Sequence, residues 1–96
     1  MDPSKKWKQY EDWTTYYISD HGDVYSCFLK DIYKPFVGRE GVLQIGFTKR
    51  KIRKTIYIHR MVAKLFLPNP NGFYNIRHKD GNKMNNHVDN LEWIKK

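Results

Sequence analysis

The chain has 96 residues, with 18 Lys and Arg against 10 Asp and Glu and a single cysteine. That length accommodates one small domain. The lone thiol excludes a disulfide framework and any zinc site built on two thiolates, and no run approaches the roughly 18 apolar residues of a membrane span. Aromatic residues make up 16% of the chain, too many for a disordered tail. No signal-peptide pattern follows Met1, so the expectation is an intracellular protein that is not secreted.

Residues 1–6 read as a lead-in. Trp7, Tyr10, Trp13, Tyr16 and Tyr17 stand at near-helical spacing, yet the run Thr14-Thr15-Tyr16-Tyr17-Ile18 predicts a strand through its β-propensity. Asp20-His21-Gly22-Asp23 predicts a turn, with Gly22 suited to positive φ. The return strand is expected over residues 23–29, with Cys27 a buried structural thiol within it. Pro35 and the stretch from Gly38 to Gly41 break the chain. Leu43, Ile45 and Phe47 then share one face of a strand, and Ile52, Ile56 and Ile58 repeat the alternation after a basic tip at Lys49-Arg50-Lys51.

From His59 to Leu67 the period changes. Met61, Val62, Leu65 and Phe66 follow helical spacing, and Pro68-Asn69-Pro70 ends the helix. Residues 73–78 and 91–94 predict two more short strands, separated by a loop dense in Asn, Asp and Gly. The fold class is therefore small α+β: antiparallel hairpins with one short helix. Trp7, Trp13 and Trp93 are expected in packing rather than base stacking, because so small a domain has little other core.

Charge divides the chain unevenly. Residues 1–48 hold six Lys/Arg and seven Asp/Glu, whereas residues 49–96 hold twelve and three, so the excess of +8 lies in the second half. Such a focused block suits a polyanion, because Lys and Arg neutralise phosphates and release condensed counterions. Two regions of one compact unit are expected, 1–48 and 49–96, with Lys49, Arg50, Lys51, Arg53, Lys54, Arg60 and Arg77 as nucleic-acid contacts. A two-stranded ribbon fits the major groove of duplex DNA, which places the basic hairpin tip foremost.

The segment from His78 to Trp93 has the pattern H-x-D-G-x-x-x-N-N-x-x-x-N-L-x-W. It resembles the HNH endonuclease family. The stretch from His59 to Pro70 looks like the H-R-x-V-A-x-x-F-x-P-N-P lead-in of homing-type members. Trp7 and the segment from Tyr17 to Ser26 look like the nuclease-associated modular motif found beside such domains. Together these cover residues 7–94.

The resemblance implies a ββα-metal fold and metal-dependent phosphodiester chemistry. It assigns His78 as the base that deprotonates water, a task suited to an imidazole that titrates near neutrality. It assigns Asn90 as the residue that ties the loop to the strands and orients the histidine. Mg²⁺ is the implied ion, with Asp80 and Asn86 as its candidate ligands in this chain. Two departures concern that metal. Homing-type members commonly carry Asp or Asn before the catalytic histidine, where this chain has Arg77, which has no acceptor atom. The family also continues past the Trp into a helix that carries the last ligand, whereas this chain ends at Lys96, so an incomplete ββα-metal motif is expected.

The expected function is thus nucleic-acid binding, on duplex DNA, by a catalytically degenerate protein derived from HNH homing endonucleases. One alternative is an active Mg²⁺-dependent nickase whose site a homodimer, another partner chain or bound DNA completes. Another is a structural protein of a nucleoprotein particle. His59 is expected to anchor the helix start and His21 to serve the turn. His59, His78 and His87 lack a cysteine or carboxylate at recognisable metal spacing, so zinc is not the expectation.

Overall fold

The computed structural model describes residues 2–10, 15–38, 40–49 and 51–95, with the side chains of residues 48 and 49 outside that description. Trp13 and Arg50 therefore lie outside the described residues, as does the side chain of Lys49.

Three small antiparallel sheets surround one helix. The first takes β1 (Trp7–Gln9), β2 (Tyr16–Ser19), β3 (Val24–Ser26) and β4 (Asp31–Ile32) in chain order. The second takes β5 (Phe36–Val37), β6 (Leu43–Lys49) and β7 (Ile52–Tyr57), and the third pairs β8 (Asn75–His78) with β9 (Leu91–Ile94). Helix α1 (Ile58–Phe66) follows β7 without a loop, and a one-turn 3-10 helix, Val88–Asn90, leads into β9. This is an α+β architecture.

The β2–β3 turn is built by Ser19 and Gly22. The Ser19 hydroxyl accepts from the amides of His21 (3.1 Å) and Asp23 (2.9 Å) and donates to Asp23 Oδ2 (2.8 Å). Gly22 has φ 91°, and a Cβ placed there would lie 3.1 Å from Asn86 Cβ and 3.2 Å from Ile58 Cγ2. Both the conformation and the close approach call for glycine. The turn thus rests directly on the loop before β9 and on the helix start.

The β6–β7 hairpin pairs Lys49 with Ile52 across a two-residue tip, where Lys51 has φ 67°. Residues in the left-handed region are the ordinary solution for so tight a connection between right-twisted strands. Along β6, Ile45 and Phe47 are buried as the alternation predicts. α1 buries Ile58, Met61, Val62 and Ala63 and packs against strands of all three sheets. One core cluster results, drawing Tyr10, Ile18 and Val24 from the N-terminal half together with Met61, Val62 and Leu91 from the other. Phe47 sits at its centre, with the Tyr16 ring stacked at 4.2 Å and the Tyr10 and Tyr33 rings at 6.4 Å.

Several elements differ from the sequence expectation. β3 stops at Ser26, whose hydroxyl accepts the Leu29 amide at 3.1 Å and turns the chain out of the sheet. Cys27 consequently lies in an exposed turn and is not a buried strand thiol, and Phe28 beside it is 82% exposed. Ile52 is exposed because the hairpin overhangs the core, and Ile58 is already helical. β8 begins at Asn75 and not at Phe73, because the Asn69 side chain brackets Phe73, donating to its carbonyl (2.7 Å) and accepting its amide (2.9 Å). Trp93 packs as expected, its indole N–H donating to the Leu67 carbonyl at 3.0 Å. Among the described residues no helix is long and apolar enough to cross a membrane.

Candidate active site and nucleic-acid interface

His78 is the last residue of β8, and the loop that follows is organised by Asn90. The Asn90 carbonyl accepts the Lys79 amide at 2.7 Å and its side-chain oxygen accepts the Asp80 amide at 3.1 Å. Its side-chain amide donates to Asp80 Oδ1 and to the Asn85 carbonyl, both at 2.9 Å. One side chain thus closes ten residues of irregular backbone that would otherwise leave polar groups without partners. Gly81 completes the turn at φ 75°, its amide donating to the His78 carbonyl at 3.0 Å.

The loop returns Asn86 to the histidine. His78 Nε2 lies 2.8 Å from Asn86 Oδ1, and Asn86 is only 3% exposed. An amide oxygen only accepts, so in this pairing His78 donates from Nε2. The second neighbour is His59, from the first turn of α1. Its ring meets His78 edge-on at 5.1 Å and is stacked on Tyr57 at 5.5 Å. Burial, and then the adjacent His78 and Arg60, push the His59 pKa down to about 4, so it stands neutral beside His78. Its Nδ1, like Asn86 Nδ2, is buried with no partner among the described residues. Sequence reasoning placed His59 at the helix start but missed its contact with His78. The available signal was the lead-in motif, which starts the helix at the point where β8 must dock.

Arg77 points to the opposite face of β8, as adjacent strand residues do. Its Nη2 lies 2.9 Å from Glu92 Oε1 across the β8–β9 pair. The proposed metal ligands are otherwise engaged. Asp80 Oδ1 accepts from the Asn82 amide (2.8 Å) and Asn90, and Oδ2 accepts from Asn85 Nδ2 at 3.0 Å. Hydrogen bonds from Asn85, Asn82 and Asn90 hold this carboxyl below its ordinary range. Asn86 Oδ1 is taken by His78, and an amide nitrogen is no ligand for a hard cation. As arranged, Asn86 Oδ1 is occupied by His78, while Asp80 Oδ2, which accepts one hydrogen bond, keeps a lone pair that could meet a cation.

The other described basic residues expected to contact nucleic acid lie on the β6–β7 hairpin and along a groove beside α1. Lys51, Arg53 and Lys54 are exposed, and the Arg53 guanidinium lies across Gly46, where an added Cβ would come within 2.9 Å of Nη2. Arg60 Nη2 donates to the Tyr74 carbonyl at 2.8 Å, with its guanidinium 4.2 Å above the Tyr74 ring. A groove of about 430 Å³ runs between β7, α1 and the lead-in to β8, lined by Lys54, Tyr57, Arg60, Lys64, Tyr74 and Trp93 among others. Lys64 and Tyr74 were not anticipated. Tyr57 forms the groove wall on one side and stacks on His59 on the other, so the groove adjoins His78 through two rings. His59, His78 and His87 do not converge. His87 turns to His21 instead, the rings meeting edge-on at 4.2 Å.

Comparison with known proteins agrees with this layout. Residues 56–96 match the family described as HNH endonuclease. An uncharacterized HNH endonuclease, L247, of Acanthamoeba polyphaga mimivirus is 40% identical over 89 residues, which is 92% of this chain and 22% of that protein. A putative HNH homing endonuclease derived from the SPbeta prophage, YosQ of Bacillus subtilis (strain 168), is 40% identical over 81 residues, 82% of this chain and 46% of that protein. The DNA endonuclease I-HmuI of Bacillus phage SP01 is 34% identical over 90 residues, 93% of this chain and 52% of that protein. The structure solved for DNA binding and cleavage by I-HmuI superposes with a TM-score of 0.84 at 35% identity, covering 94% of this chain and 52% of that one. This chain therefore spans about half or less of the relatives named. HNH nucleases are in general metal-dependent. In sequence and in fold, the chain is thus similar to HNH homing endonucleases, with residues 56–96 matching the HNH endonuclease family itself.

Proposed function

We propose that this chain binds duplex DNA along its basic groove and hairpin, and that its own HNH residues serve as a scaffold rather than a cleaving centre. The observation that carries this reading is Arg77. A guanidinium paired to Glu92 stands where homing-type members carry a metal ligand, and it repels a divalent ion while suiting a phosphate. The groove supports the binding half. Lys54, Arg60 and Lys64 line it with the aromatic faces of Tyr57 and Tyr74, a combination of phosphate-neutralising charge and stacking surface.

Fluorescence anisotropy on a labelled duplex across a salt series tests the binding. Five phosphate contacts give a log–log slope on the order of −4.5, and salt-independent binding refutes the electrostatic reading. Plasmid nicking in Mg²⁺ or Mn²⁺ tests the scaffold. No nicking is expected at any protein concentration. A second reading, an active nickase completed by a partner chain or by the DNA, is favoured by the His78–Asn86 bond and the Asn90 clamp. Nicking that disappears in His78→Ala would establish it in place of the first.

A further inference from the structure

We propose that Asp20, His21 and His87 form a binding site for a zinc-like transition-metal ion that fastens the N-terminal turn to the loop carrying Asn86. The site is distinct from the HNH centre and rests on no part of the DNA-binding reading. One ligand atom from each of the three side chains lies within 4.8 Å of the other two. The two imidazoles meet at 4.2 Å and His21 Nδ1 is 2.8 Å from Asp20 Oδ1. Tetrahedral ligands about Zn²⁺ stand roughly 3.4 Å apart, given bonds of about 2.0–2.1 Å, so small rotations of these side chains close the set.

The backbone beneath is already joined. The Val88 amide donates to the Asp20 carbonyl at 2.8 Å, and Gly22 permits the 3.1 Å approach to Asn86. Asp20 is 13% exposed at its side chain, against 40% for His21, so the carboxylate forms the floor and the open side leaves a coordination position for water. Although burial opposes it, hydrogen bonds from His21 and the Lys6 amide and the charges of His21 and His87 keep this carboxyl below its ordinary range.

An outer partner is present as well. His87 Nδ1 accepts the Asp89 amide at 3.0 Å and lies 3.7 Å from the Asp89 carboxylate. Binding a metal through Nε2 moves the proton to Nδ1, which exchanges the bond from the amide, left to solvent at the exposed Asp89, for one to that carboxylate. Two imidazoles and one carboxylate favour Zn²⁺, Co²⁺ or Ni²⁺ over Mg²⁺, which prefers oxygen ligands and retained water.

The experiment uses the full chain with Cys27→Ser, which removes the one competing thiol. Titration with Zn²⁺ and with Co²⁺ in millimolar Mg²⁺ should give 1:1 binding, with visible Co²⁺ bands of low coordination number. At tenfold excess over Kd, Zn²⁺ should raise the thermal midpoint by roughly 5 °C or more. His21→Gln, an exposed change that leaves the fold intact, and His87→Gln should each weaken binding at least about tenfold and remove the midpoint rise. Absence of 1:1 binding, or binding that both variants leave unchanged, overturns the proposal.

Discussion

Acidification should loosen this fold through one half-buried imidazole. His59 is packed between the Tyr57 and His78 rings, and its pKa stands at about 4 in the folded chain against 6.5 when exposed. A folded-state pKa below the unfolded value means that the unfolded chain binds the extra proton. The associated stability is present above pH 6.5 and is lost as pH falls toward 4. The full displacement is worth about 3 kcal/mol, of which roughly 1.8 kcal/mol falls between pH 7 and pH 5. Asp20, Asp23 and Asp80, all held below the ordinary carboxylate range, lose their contributions at lower pH and leave this window to the histidine. Urea unfolding at pH 7, 6 and 5 measures the loss. His59→Phe keeps the ring stack, removes the titrating group and sacrifices no hydrogen bond at the unpartnered Nδ1. The variant should lose less than half as much stability as the native chain over the same range. Parallel pH curves for the two would refute the assignment.

Three further outcomes are expected. Asn90→Ala removes three side-chain hydrogen bonds from the HNH loop and should cost about 2–3 kcal/mol in urea unfolding, with hydrogen exchange rising over residues 79–90. Gly22→Ala forces a Cβ against Asn86 and Ile58 at φ 91°, so a loss on the order of 2 kcal/mol in the same assay is expected. Replacing both Lys51 and Lys54 by Gln should leave the thermal midpoint nearly unchanged and reduce the magnitude of the DNA-binding salt slope by about 1.8.

The elements legible in the sequence were those long enough to show a period. β6 alternates over its length, α1 repeats its apolar positions over two turns, and Pro68 marks its end, so these emerge from pattern, whereas β7 is legible through Ile56, with Ile52 exposed and Ile58 helical. β1, β4 and β5 run to three residues or fewer, too short for any periodicity, and are defined by the neighbours they pair with. Cys27 misled because Phe28 and Leu29 continue the apolar run, while the Ser26 hydroxyl that turns the chain has no signature of its own. His78 and Asn90 stood out through their spacing in a motif. That Asn86 would hold His78, or that His59 would lie against it, depends on packing between elements distant in the chain. The meeting of His21 with His87 depends on a glycine that lets two loops touch.

The two faces of the β8–β9 hairpin separate the histidine contacts from the charged pair. On one face, His78 is held by Asn86 and His59, in a row of contacts that runs from Tyr57 in the groove wall to the loop before β9. Arg77 and Glu92 pair on the other face, since adjacent strand residues alternate, so a substitution at position 77 is expected to leave the His78 contacts in place. Stability gives little reason for an arginine there. Its side chain is 61% exposed, and an exposed ion pair of this kind contributes between about 0 and 1 kcal/mol. What the guanidinium offers on the proposed reading is a cation whose remaining N–H donors suit a phosphate, with Nη2 engaged by Glu92. On the proposed reading, the arginine at position 77 serves the phosphate backbone and not the fold.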